Sequence, residues 1–125
     1  MATKVTKQAD TGMLKLLPQS VEAEEAVLGA VLVNPVSLGR VVETLKPSSF
    51  YKPAHKLIYE TMLELFKKNE PIDIVTVSES LRNQDELENV GGRTYINNLA
   101  MNVVTTANIE FYAKIIQEKE IKNRE

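Results

Sequence analysis

The stretch from Pro18 to Pro35, PQSVEAEEAVLGAVLVNP, most constrains how this chain folds. Pro18 stops any preceding helix, and Ser20 offers a hydroxyl that can accept from a free backbone N–H of the first turn. Glu22, Glu24 and Glu25 place negative charge at the positive end of the helix dipole. Beyond them, Ala23, Ala26, Val27, Leu28, Ala30, Val31, Leu32 and Val33 leave the second half apolar on nearly every side. A helix of that kind has to be surrounded by other elements rather than laid on a surface. Asn34-Pro35 ends it. The sequence therefore predicts a central helix with the remaining chain wrapped around it.

Five further segments supply the wrapping. Val36, Leu38, Val41, Val42 and Leu45 recur at helical spacing, and Pro47 closes that segment. Phe50 and Tyr51 sit in the following loop, where they are expected to act as lids over a helix end. Pro53 suits a first helical position, and Ala54, Leu57, Ile58, Thr61, Met62, Leu65 and Phe66 form the clearest amphipathic stripe in the chain. The segment Ile72 to Leu81 is rich in β-branched residues that favour strands. No second strand candidate exists to pair with it, and Asp73 is a sound N-cap, so it is assigned as helix. Gly91-Gly92 is expected to turn the chain tightly or let helices approach. Arg93 to Met101 follows as a short helix with Tyr95, Ile96, Leu99 and Ala100 on its apolar side, Tyr95 being expected half-buried. Thr105-Thr106 precedes a last helix whose seam is Ile109, Tyr112, Ala113 and Ile116, widened by Phe111 and Ile115. Ile121 keeps the spacing near the last residues, with no capping Gly, Asn or Pro after it, so this helix is expected to be cut short or completed by another copy or domain. The predicted fold is all-α, a compact bundle of about six helices preceded by a flexible tail over residues 1–17.

Composition excludes more chemistry than it suggests. With 125 residues and 43% hydrophobic content the chain is sized for one core. There is no Cys, hence no disulfide and no Cys-based zinc site. No apolar run approaches the ~20 residues of a membrane span. Lys4, Lys7 and Lys15 against Asp10 leave residues 1–19 two charges positive; with a net −2 overall, residues 20–125 hold −4. A mildly acidic domain is a poor partner for phosphate backbones, which are held by Lys and Arg. The single histidine, His55, cannot build a metal site alone and is assigned a structural or surface role. Glu24-Glu25 and Glu118 with Glu120 are expected to be solvated. The glycines, Gly12, Gly29, Gly39, Gly91 and Gly92, form no phosphate loop, and no nucleophile elbow exists. No catalytic, cofactor or metal residue is assigned.

Five collinear blocks then converge on one family. PQSVEAEEAVLGAVLVNP at 18–35, FYKPAHKLIYETM at 50–62, PIDIVTVSESL at 71–81, VGGRTYINNL at 90–99 and TTANIEFYAKIIQEKEI at 105–121 resemble, in order, the N-terminal domain of bacterial hexameric replicative DNA helicases, the DnaB family. The resemblance implies a helical collar domain over 18–104 and the first helix of a hairpin over 105–125, cut short, with the ATPase domain absent. It implies partners as well: a second copy, paired as a dimer within a hexamer; a DnaG-type primase; and a helicase loader. Single-stranded DNA, ATP and Mg²⁺ would belong to the missing motor, and the setting would be a bacterial cytoplasm, near the nucleoid, or a plastid descended from a bacterium. For partner contact the resemblance points to Gly91, Gly92 and Tyr95 in one turn and to Tyr112 and Ile116 on the last helix. Two alternatives remain: a free-standing helical adaptor without a motor, and a ligand-binding or enzymatic domain built on His55, Tyr51 and nearby carboxylates. The second would need a deep polar pocket around His55.

Overall fold

The computed structural model describes residues 20–103 and 105–124. The tail expected over residues 1–17 and the side chain of Ile121 lie outside the described residues. Among the described residues, five α-helices carry the fold: α1 (Val21–Val33), α2 (Pro53–Lys67), α3 (Ile74–Asn83), α4 (Gly92–Met101) and α5 (Ile109–Arg124). Three short 3-10 helices, Pro35–Arg40, Pro47–Ser49 and Glu88–Val90, join them. Among the described residues there is no strand.

α1 is the axis. Ser20 caps it, its Oγ accepting from the Ala23 amide at 3.3 Å. Eight of its 13 residues are buried, and α2, α4 and α5 all pack against it. Its closest neighbour is set by Gly29. A Cβ at this position would collide with the backbone carbonyl of Leu99 and the Val103 side chain, so α1 and α4 cross nearly backbone to backbone.

The amphipathic stripe of α2 folds as its spacing predicts. Ile58, Met62 and Tyr59 are fully buried, and the Tyr59 hydroxyl donates to the Leu45 carbonyl at 2.9 Å. Burial pushes that phenol up to about 12. α3 is a helix despite its β-branched residues because its cap is reciprocal. Asp73 Oδ1 accepts from the Thr76 amide at 2.8 Å, and Thr76 Oγ1 accepts from the Asp73 amide at 2.9 Å. Ile72 and Val77, both buried, occupy the positions flanking such a cap that fix the entry of the chain.

The segment Val36–Leu45 departs from the predicted α-helix. It is a 3-10 helix over Pro35–Arg40, then a turn in which the Leu45 amide donates to the Val41 carbonyl at 2.9 Å. Gly39 and the β-branched pair Val41-Val42 weaken α-helix here, and the core decides the path. Leu38, Val41 and Leu45 are buried while Val36 is 78% exposed. Phe50 is the lid expected of it, 1% exposed and tilted on Tyr59, whereas Tyr51 points its ring outward. The polar connection after α3 contains the 3-10 helix Glu88–Val90, held because Val90 is buried. α5 begins at Ile109, two residues later than Thr105-Thr106 suggests, with Thr105 Oγ1 accepting from the Ala107 amide at 3.1 Å. Ile109, Ala113 and Ile116 join the same core as α1. Arg40 ties the start of α5 to the first 3-10 helix through Glu110 at 3.1 Å, an exposed pair worth at most about 1 kcal/mol.

The Gly29 crossing gives a direct test. Gly29→Ala is expected to destabilise the domain by about 3 kcal/mol, since neither the Leu99 carbonyl nor α4 can move aside cheaply. Urea unfolding followed by circular dichroism reads this, and a midpoint equal to wild type would refute the close crossing.

Candidate functional site

The first turn of α1 holds two adjacent carboxylates with opposite surroundings. Glu24 is 1% exposed. Both its oxygens are occupied: Oε2 accepts from the Tyr51 amide at 2.6 Å, and Oε1 from His55 Nδ1 at 2.6 Å with the Lys52 amide at 3.5 Å. Three N–H donors thus converge on one buried carboxylate. Pro53 opens α2 at its first position, which leaves the amides of Tyr51 and Lys52 just ahead of it free to point at Glu24. The sequence places Glu24 and Glu25 in solvent; the fold overturns this for Glu24, because helix α2 starts directly opposite it.

His55 lies in the first turn of α2 and is fully buried. Nδ1 faces Glu24, and Nε2 lies 2.7 Å from the Tyr95 hydroxyl on α4. The two rings are nearly parallel, 11° apart with centroids at 6.0 Å, and the Phe50 ring stands edge-on at 6.4 Å. The Tyr95 hydroxyl donates in turn to Glu25 Oε2 at 3.0 Å, so Glu25 is also bound rather than free. Lys52 Nζ sits 5.3 Å from the Tyr95 ring centre. The outcome is a continuous chain, Glu24–His55–Tyr95–Glu25, that links α1, α2 and α4. Burial, then the hydrogen bond and charge of Glu25 and the charge of Glu24, push the Tyr95 phenol well above its ordinary range, so it keeps its proton. His55, assigned a structural or surface role from the sequence, is buried and has positioned partners that the sequence does not announce.

This arrangement has no room for a substrate at His55. The ring is enclosed and both nitrogens are engaged, so the ligand-binding alternative lacks the pocket it needs around His55. Among the described residues, no three His, Asp or Glu side chains are grouped to hold a metal ion.

The open surface lies on the other side of Tyr95. A groove of about 330 Å³ runs between α1, α4 and α5, with Glu22, Glu25, Tyr95, Asn98, Asn102 and Tyr112 among its walls. Two of the five residues singled out in the sequence, Tyr95 and Tyr112, line this groove. Gly91 and Gly92 lie ahead of Tyr95 at the start of α4, both with left-handed backbone (φ 109° and 76°). A Cβ on Gly91 would sit 2.8 Å from Cβ of Tyr95, so only glycine lets the turn close over that ring. Ile116 stands apart: it is 1% exposed and faces the core, so its side chain offers nothing to a partner at this surface. The sequence reading missed Glu22, Glu25, Asn98 and Asn102. Their spacing on two helices is ordinary for solvated faces, and only the α1–α4 crossing brings them together.

The domain is all-helical, with Glu24 and His55 bonded internally and a groove lined by Tyr95 and Tyr112 left open. The comparison with known families is specific. The family model for the DnaB-like helicase N terminal domain matches residues 16–118, and the chain belongs to that family. It is similar to the replicative DNA helicase DnaC of Bacillus subtilis (strain 168), at 49% identity over 110 residues. It is also similar to the replicative DNA helicase DnaB of Geobacillus stearothermophilus, at 44% over 110 residues. Each alignment covers 88% of this chain and 24% of the relative, so the chain spans about a quarter of the length of these helicases. Among solved structures, the N-terminal domain of DnaB helicase from Mycobacterium tuberculosis superposes with a TM-score of 0.83 at 39% identity, covering 86% of this chain and 78% of that one. A DnaB-like replicative helicase, described with its interactions with primase, gives 0.75 at 28% identity, covering 84% of this chain and 25% of that one.

The two neighbouring glutamates are expected to separate cleanly on mutation. Glu24→Ala leaves two amides and a buried imidazole without their acceptor and should cost about 3–5 kcal/mol, whereas Glu25→Ala should cost about 1 kcal/mol or less, the usual value for one hydrogen bond at a surface. Equal losses in chemical denaturation would show that Glu24 is not the buried anchor.

Proposed function

We propose that this chain is the collar-forming N-terminal domain of a replicative DNA helicase and that it docks primase at the groove beside Tyr95. Membership of the DnaB-like helicase N-terminal family across residues 16–118 carries the reading. The relative described with its interactions with primase supports primase as the partner. The groove supports the location, because two tyrosine rings with neighbouring amides and carboxylates are the side-chain types that anchor protein interfaces. The whole protein would unwind duplex DNA at the expense of ATP. Gly91-Gly92 lacks the Lys of a phosphate loop, and among the described residues no three His, Asp or Glu side chains are grouped to hold a metal ion. Nucleotide and single-stranded DNA are therefore assigned to the part of the helicase beyond this chain, as is any contact with a loader. The setting that suits this role is the bacterial cytoplasm.

Titration of the C-terminal domain of the Bacillus subtilis DnaG-type primase against the 125-residue chain tests the groove. Tyr95→Ala should weaken binding by at least about tenfold, the loss typical of an interface anchor, with an unchanged circular dichroism spectrum. Undiminished affinity would remove Tyr95 from the interface.

Pairing of two copies is assigned to α5, whose outer face carries Phe111 at 64% exposure. A single exposed helix face buries little apolar surface against a partner, so pairing should be weak and should follow mass action. Light scattering across a hundredfold range of concentration, about 1–100 µM, should show the mean mass rising with concentration. A constant dimer mass would contradict this.

A further inference from the structure

We propose that His55 is a positioning residue for the groove: as an imidazolium clamped between Glu24 and Tyr95, it holds the Tyr95 ring in place, and loss of its proton releases that hold. The inference rests on the groove being the docking surface.

Hydrogen counting carries it. Three contacts run in series: Glu24 Oε1 to His55 Nδ1 at 2.6 Å, His55 Nε2 to Tyr95 Oη at 2.7 Å, and Tyr95 Oη to Glu25 Oε2 at 3.0 Å. Glu24 is an acceptor on both oxygens, so Nδ1 must carry hydrogen. A neutral ring would then have a bare lone pair at Nε2, and the single phenolic hydrogen could serve either Nε2 or Glu25. Whichever it served, the other contact would set two lone pairs face to face. The doubly protonated ring resolves this with one hydrogen per contact: Nδ1–H to Glu24, Nε2–H to the phenolic oxygen, and the phenolic O–H to Glu25. The charged and titratable groups facing the ring agree with a cation there. They are Glu24 and, through Tyr95, Glu25 from α1, Tyr95 from α4, and Lys52 from the loop ahead of α2, whose ammonium lies over the Tyr95 ring. Two carboxylates outweigh one ammonium.

The consequence reaches the surface through Tyr95, which bonds to buried His55 and is a wall of the groove at once. Once His55 is neutral, one of the two bonds at the phenol is lost, and the ring is held less firmly on that side of the groove.

The chain's single histidine makes the test direct. Long-range ¹⁵N–¹H spectra of the full 125-residue chain are recorded from pH ~5 to ~9, the span in which imidazoles titrate. Both ring nitrogens should be protonated at the acid end, and the Tyr95 ring signals should move with the same midpoint as the imidazole. Affinity for the primase C-terminal domain should fall about fivefold or more over that midpoint. Tyr95→Phe keeps the ring and cuts the chain of bonds at the hydroxyl, so its affinity should not follow the His55 titration. Tyr95 signals that ignore the imidazole overturn the proposal and leave the groove reading intact, as does affinity independent of His55 protonation. Tyr95 signals that track the imidazole, with no primase binding at any pH, uphold the coupling and overturn the groove reading instead.

Discussion

The burial of Glu24 is the constraint on which the rest of the domain turns. A carboxylate taken out of water is very costly unless several donors reach it. Here the amides of Tyr51 and Lys52 and the His55 ring meet that requirement together. To do so, the chain must leave the Pro47–Ser49 turn, run extended past Phe50, and begin α2 at Pro53, directly opposite the first turn of α1. One side chain thereby fixes where α2 starts and which way it faces. Through His55 it also fixes where α4 stands.

The apolar contacts add energy to an arrangement that the polar ones specify. Packing of Val27, Leu28, Val31, Ile58, Met62, Val77, Leu81, Ile96 and Ile116 supplies the larger stabilisation, but such surfaces tolerate small rotations of one helix on another. Directed bonds between three helices do not. Among the described residues, the buried hydroxyls of Ser37 and Ser78 have no hydrogen-bond partner within the protein. Its directed bonds are concentrated on one side of α1, behind the groove.

Much of the fold was legible in the sequence because its signals are local. Ser20 and Asp73 announce caps, the Ile58–Met62–Leu65 stripe announces a face, and Gly91-Gly92 announces a left-handed turn. Even the strand-like Ile74-Val75-Thr76-Val77 was decided correctly by its cap. The Val36–Leu45 segment was not, because Gly39 and two adjacent valines are compatible with several turns and only the burial of Leu38, Val41 and Leu45 selects one. The site was half legible. Tyr95, Tyr112 and the glycine pair stood out, whereas Glu24 looked like one more surface acid in a run of three. Its burial depends on an amide 27 residues away, and nothing in its neighbours signals that separation. Ile116 illustrates the opposite case, a residue on a broad apolar seam whose inward direction is settled only by the position of α1.

The contact of Gly29 with Leu99 bears on how the groove would meet a partner. Two helices that touch through their backbones have no compressible side-chain layer between them, so the two walls they supply move as one piece. A surface of that kind is already shaped before any encounter. Its partner gives up little to ordering on this side of the interface, and recognition then depends on the partner's own contour matching a fixed one.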